Sequence, residues 1–597
     1  MDIRLIDYFG VALRADAKGE IKANPREVNT RATRVGYIVH PDCCTADVLD
    51  WIDCQSVNYN STFYQNWNSV LEKDRFDLFL DQIIHYACAY ELGVSVTPND
   101  QDYSMVPEIQ NYKLIKPITV EDLGVRVVDM LRSGAALKSG TVNDLIQFVK
   151  DYGIKVDPNE VKNREAQILL CDALDITPTD PIQLLHYIYY KATGDTMIVK
   201  DAGCKSRVYW GNKFDLNTLS VEQLEGLASI FFRFKPVFMG LKNSGNKHVI
   251  NRIRRMADKR HKPMKQGFWE TVVNTPTDYD TILNRLEKDK PTSFKLIRLI
   301  QAIRENRMKI GGEGHSMYPI RNGKVWLKNL PTANALDPRY DWWDALETIL
   351  YRELVNRLKD KACVVRFPRE LNLACPTSEK TFVGNIPWGS YYDMTENNIV
   401  GIYWRGEWGA QDLDLSMLTF DGKKFGWNGN YNMGDTIIYS GDVVRADPEA
   451  AECFFIKKDC PNSLIKVNLY NGHSGAKFKF MVAQDESVTK LHRNYMVDPN
   501  TICFQTETQI DAEKMIGYVL DNKMCLCEFQ TGMNCVSSKV TTTDWESTLR
   551  RKMNSFVNLK QLLLDAGFKE RKRISTTTPI DLDLTDLNKD TLIKLFA

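Results

Sequence analysis

The chain has 597 residues, 43% hydrophobic and 26% charged, a globular composition too long for one ordinary core, so three or more folding units are expected. Lys+Arg and Asp+Glu both number 77, so the chain as a whole exerts no pull toward nucleic acid or an anionic membrane, and only local patches could do so. No apolar run is long enough to cross a bilayer, and the charge-interrupted N-terminus lacks a signal-peptide core. With Cys88 and Cys171 set in apolar periodic segments, this predicts a cytoplasmic protein with buried, reduced thiols.

In chain order, residues 1–64 read as a mixed α/β cap and 65–310 as an array of short helices. In TDPIQLLHYIYYKATGD, Asp180 is a cap, Pro181 suits the first turn and Gly194 the end, with Leu184, Leu185, Ile188 and Tyr189 as the apolar stripe. In SVEQLEGLASIFFRFKP, Ser220 and Gln223 form a capping box, and the helix should stop before Pro236. RVVDMLRSGAALKSGTVNDLIQFVKDYG reads as two helices joined at Ser139-Gly140. GGEGH reads as a linker, followed by a strand in GKVWLKNL. Residues 311–395 connect to the next unit through a strong amphipathic helix bearing Trp343, Leu346, Leu350, Leu354 and Leu358. From 396 to 545 the period becomes two: NIVGIYWRGE, DTIIYSGDVV, AECFFIKKD and LIKVNLYNG are strands of an antiparallel sandwich. Residues 546–597 form a helical tail with one short strand.

Few segments carry recognisable chemistry. The G-x-S-x-G, H-E-x-x-H and phosphate-loop signatures are absent, and GLKNSGNK reads as a plain loop between helices. His85 and His186 fall in apolar helical segments and read as packed, hydrogen-bonded side chains. Cys525, Cys527 and Cys535 lack zinc spacing and read as strand residues of a hairpin. No nucleophile–base pair is visible, so a non-enzymatic protein is expected.

Two segments are more informative. NKHVINRIRRMADKRHKPMK carries Lys247, Arg252, Arg254, Arg255, Lys259 and Arg260, with Lys262 and Lys265 beyond, around a stripe of Val249, Ile253 and Met256. A solvated helix face is the plainer reading, and contacts to RNA phosphates the sharper one. WGAQDLDLSML places Asp412, Asp414 and Ser416 on one strand face, opposite Leu413, Leu415 and Met417. Carboxylates at i and i+2 lie ~6.6 Å apart along the chain. They repel by about 0.6 kcal/mol in water and about 2.5 kcal/mol at an effective dielectric of 20. A solvated strand face and an oxygen-ligand metal site both fit.

Followed by DTIIYSGDVVRADPEAAECFFIKKD and LIKVNLYNGHSGAKF, this strand resembles the TerD family, associated with tellurium resistance. The match is Asp412, Asp414 and Ser416, then Gly441-Asp442, over about 150 residues. The resemblance implies a β-sandwich with calcium in acidic loops, and hence Asp412, Asp414, Ser416, Asp442 and Asp447 as ligands. The family's acidic run is replaced here by RADPEAAE, which offers Asp447, Glu449 and Glu452 beside Arg445. Further segments, including RFKPVFMGLK and ACPTSEKTFVGNIPWGS, resemble long bacterial proteins that end in a TerD-like domain. The Arg-rich helical part is similar, over a short segment, to the TROVE module of Ro-type RNA-binding proteins. The fold class expected is α+β multidomain: a large N-terminal helical array, a TerD-like antiparallel sandwich and a short C-terminal helical tail. The function implied is a cytoplasmic stress-response scaffold, with other proteins or further copies of itself as partners, calcium as cofactor, and RNA binding as the alternative.

Overall fold

The computed structural model describes residues 4–16, 22–63, 74–89, 106–260, 267–308, 315–319, 324–329, 339–487, 491–493, 495–531, 539–571 and 580–597. Helices precede antiparallel sheets, and a short helix, Lys589–Phe596, closes the chain. The chain forms two compact units, both discontinuous in sequence. One comprises Met1–Phe9, Ile118–Phe294 and Asp590–Ala597; the other, Gly10–Pro117 and Lys295–Lys589.

The first unit is helical, and local signals set its boundaries. The Pro181–Thr193 helix starts where the Asp180 carboxylate accepts from the Ile182 and Gln183 amides, and it ends at Gly194. Ser220 and Gln223 exchange side chain-to-backbone hydrogen bonds at the head of Val221–Ile230. That helix stops earlier than its pattern suggests. Pro236 opens the next one, Lys235–Asn243, because proline suits a first turn, where its missing N–H costs nothing. Ser139-Gly140 likewise opens a helix, Ser139–Asp151, rather than joining two. The preceding helix, Val120–Arg132, is closed by Ser133, whose hydroxyl donates to the Met130 carbonyl. The expected stripe of Leu184, Leu185, Ile188 and Tyr189 is buried with Leu224, Leu227, Phe231, Phe238, Ile250 and Ile253 in one core. GLKNSGNK, expected as a loop, instead supplies the last turn of the Lys235–Asn243 helix through Asn243, and only residues 244–246 connect it to the next helix. Asn246 is buried and ties the Lys247–Arg260 helix to the Phe214–Leu216 backbone.

The second unit carries two large sheets among the described residues. The first runs Lys424–Phe425, Asp412–Thr419, Ser463–Asn471, Glu513–Leu520, Lys523–Thr531, Tyr391–Asp393, Leu371–Asn372, antiparallel along this path. The second runs Asn432–Met433, Ile437–Tyr439, Glu449–Lys457, Asn397–Arg405, Ala476–Gln484, Ile502–Ile510, also antiparallel. Successive strands of the chain are shared out between the two sheets, and their central strands Asn397–Arg405, Asp412–Thr419 and Glu449–Lys457 are buried along nearly their whole length. The Arg339–Lys359 helix buries Trp343, Leu346, Leu350, Leu354 and Leu358 as its spacing predicts. Cys525 and Cys527 are buried free thiols on one strand, whereas Cys535 and the glycines of GGEGH lie outside the described residues.

Candidate metal centre

Strand Asp412–Thr419 is buried along its whole length, on both faces. Leu413, Leu415 and Met417 are fully buried, as the alternation requires. The opposite face is buried too: Asp412 is 6%, Asp414 3% and Ser416 0% exposed. A solvated strand face is therefore ruled out. Across the ladder Asp414 pairs with Asn468, and Ser416 with Lys466.

Asp442 joins them from the segment after strand Ile437–Tyr439. Gly441 takes a φ of 99°, open to glycine at little cost, and this turn places Asp442, 3% exposed, against the strand. One oxygen from each of Asp412, Asp414 and Asp442 lies within 4.8 Å of the others. Asp412 Oδ1, Asp414 Oδ2, Asp442 Oδ1 and Ser416 Oγ have no hydrogen-bond partner. Two ionised carboxylates at that separation repel by about 3.5 kcal/mol at an effective dielectric of 20, and orphaned buried acceptors add a desolvation cost. Burial, then the charges of Asp414 and Asp442, pushes Asp412 up to about 8. Burial and Asp442 push Asp414 up to about 7, against the opposing pull of Lys424, Trp427 and Lys466. Burial also raises Asp442, although the Tyr86 hydroxyl and the Glu452 side chain favour its ionised form.

Two supporting side chains were not legible as such in the sequence. Glu452, 0% exposed on strand Glu449–Lys457, accepts from Leu415 N at 2.7 Å through Oε2 and from Val443 N at 3.0 Å through Oε1. It pins the strand edge to the turn bearing Asp442. RADPEAAE offered it as one acid among three, and its inward place in the apolar run AECFFIKKD set it apart from the other two. Tyr86 reaches in from the Arg75–Ala89 helix and donates to Asp442 Oδ2 at 2.5 Å. No sequence pattern links two residues 356 positions apart. His85, beside it, accepts from Val444 N through Nε2 at 3.3 Å, and burial pulls its pKa down to about 4, so it is a neutral acceptor.

Asp447 is a correction to the expected ligand set. It is exposed and stands apart from the three clustered carboxylates. It lines a cleft of about 810 Å3, whose wall also includes Arg405, Gln411, Asp412, Arg445 and Glu449. Asp412 belongs to both cleft and cluster. Glu449 is occupied with Tyr403, Asn58 and Ser61.

The donor set is all oxygen, the preference of hard cations such as calcium and magnesium rather than zinc or copper. The basic segment falls in the other unit, where Lys247, Arg252, Arg254, Arg255 and Lys259 are exposed on one helix, above buried Val249, Ile250 and Ile253. Arg260 closes that helix, and Lys262 and Lys265 lie outside the described residues. No family model, curated protein or solved structure matches the chain.

Proposed function

We propose that this chain is a non-enzymatic cytoplasmic scaffold of the TerD-like, stress-response kind, whose sheet-rich unit binds a divalent cation, calcium in the first instance. The observation that carries this reading is the buried trio Asp412, Asp414 and Asp442, each with an oxygen that has no partner, beside the equally unpartnered Ser416 hydroxyl. Protein interiors rarely leave such groups unsatisfied, and a cation at their centre would relieve both repulsion and desolvation. Calcium accepts six to eight oxygens in flexible geometry, so three carboxylates and a hydroxyl would supply part of its shell and waters the rest. Magnesium demands a tight octahedron and keeps its own waters, so it fits less well.

The test is a thermal scan of the full chain with calcium titrated in. At a hundredfold excess over Kd, binding to the native state alone stabilises by about 2.7 kcal/mol, a readily measured rise in Tm. A melting curve unmoved by millimolar calcium overturns the reading.

A second reading is supported by a separate observation. Arg252, Arg254, Arg255 and Lys259 are exposed and, among the described residues, have no ion-pair partner, which suits a polyanion such as RNA. Replacing Arg252, Arg254 and Arg255 with Gln should weaken RNA binding and flatten its salt dependence. Wild-type protein without salt-sensitive RNA binding rules it out.

A further inference from the structure

The Arg75–Ala89 helix makes three side-chain hydrogen bonds from one face. Gln82, His85 and Tyr86, at helical spacing on one face, all bond the 431–444 segment that carries Asp442. Gln82 donates to the Tyr431 hydroxyl at 2.7 Å, His85 accepts from Val444 N, and Tyr86 donates to Asp442. Phe76, Phe79, Leu80 and Ile83, spaced i, i+3, i+4, i+7, are instead exposed, from 39% at Leu80 to 65% at Phe76. These four side chains face away from the fold, and the face that bears Gln82, His85 and Tyr86 meets it beside the carboxylate cluster.

Asp442 divides its two oxygens between these neighbours. Oδ2 accepts the hydrogen bond from the Tyr86 hydroxyl, while Oδ1 has no hydrogen-bond partner. An ion can therefore engage Oδ1 while the hydroxyl stays on Oδ2, the arrangement by which an outer hydrogen bond orients a metal-bound carboxylate. We propose that Tyr86 is a positioning residue for cation binding, and that docking of the Arg75–Ala89 helix and occupancy of the Asp412, Asp414 and Asp442 site are thermodynamically coupled. The inference rests on the cation reading above. A bound cation would fix the Asp442 carboxylate in the orientation in which Oδ2 faces the Tyr86 hydroxyl, so ion and helix favour the same position of that side chain. Coupling is reciprocal: if the ion tightens the helix, loosening the helix must weaken the ion by the same factor.

The experiment uses the full chain with calcium chloride as the probe. Calcium affinity is measured by calorimetry, and backbone hydrogen exchange across residues 74–89 with and without calcium. Tyr86→Phe keeps the ring and removes the hydroxyl, and should weaken calcium about tenfold, the lower end for lost outer hydrogen bonds. Gln82→Ala touches no carboxylate, yet it should also weaken calcium. In the wild type, calcium should slow exchange across the helix, and in Tyr86→Phe this slowing should shrink. A helix that only braces the fold would lower the calcium-free Tm of both variants while leaving calcium affinity unchanged; that result overturns the coupling and leaves the cation reading standing. A wild-type chain that binds no calcium overturns both.

Discussion

At the scale of single residues, the notable fact is that three aspartates are buried together without enough donors to keep them all charged. This makes a pH dependence with a definite sign. Unfolded, each carboxyl titrates near 3.9. Folded and free of metal, Asp412 is pushed up to about 8 and Asp414 to about 7. Between those limits the native state holds more protons than the unfolded one, so stability falls as pH rises from about 4 to about 8. Melting temperatures in a chelator across that range should decline, and saturating calcium should remove the decline, because the ion takes the protons' place. Asp412→Asn combined with Asp414→Asn removes charge but little volume from a face turned away from Leu413 and Leu415. The double variant should lose the calcium shift and, without metal, melt no lower than wild type at pH 8, since it also loses the repulsion. A lower metal-free Tm there would mean that the carboxylates are held by donors of their own.

At the scale of elements, helices meet through close contacts that their sequences specify only in part. The Lys235–Asn243 helix lies on Cys204–Trp210 at Gly240, where an added Cβ would come 2.6 Å from the Val208 Cβ and 2.9 Å from the Lys205 carbonyl oxygen. The backbone carbonyl cannot yield as a flexible side chain would. Gly240→Ala should therefore cost about 1–3 kcal/mol in a denaturant titration, the usual range for overpacking. Leu350 is a simpler case. It sits at the centre of the Arg339–Lys359 stripe and is fully buried, so Leu350→Ala should cost about 2–5 kcal/mol by the same measurement. The Arg252, Arg254 and Arg255 substitutions fall on an exposed face and should each change stability by no more than about 0.5 kcal/mol. A loss of RNA binding in that variant could then be read as a loss of contact rather than of fold.

At the scale of the whole molecule, the two units should respond differently to calcium. A ligand adds its stabilisation to the structure that binds it. Hydrogen exchange should slow in strands Asp412–Thr419 and Glu449–Lys457, which Glu452 ties together at the site. The Pro181–Thr193 and Lys247–Arg260 helices, in the other unit, should exchange at an unchanged rate. Equal protection in both units would place the ion, or its effect, elsewhere.

What the sequence determined by itself was local. Asp180, Pro181 and Gly194 bound a helix, Ser220 and Gln223 close a capping box, and the Trp343–Leu358 stripe faces a core. Caps and periodicity act within a turn or two of chain, so they are readable one segment at a time. The direction of Asp412, Asp414 and Ser416 was legible for the same reason, since a strand alternates. Whether that face met water was not. Burial depends on what covers a strand, and the groups around this one come from Asp442, Glu452 and Tyr86, the last 356 residues before the aspartate it bonds. The RADPEAAE segment shows the converse: its charged letters suggested Asp447 as a ligand, while the backbone's path carried Asp447 to the cleft wall and turned Glu452 inward. Residue type and spacing decide which groups could bind an ion. Only the tertiary structure decides which of them share a site, because it alone sets distance and access to water.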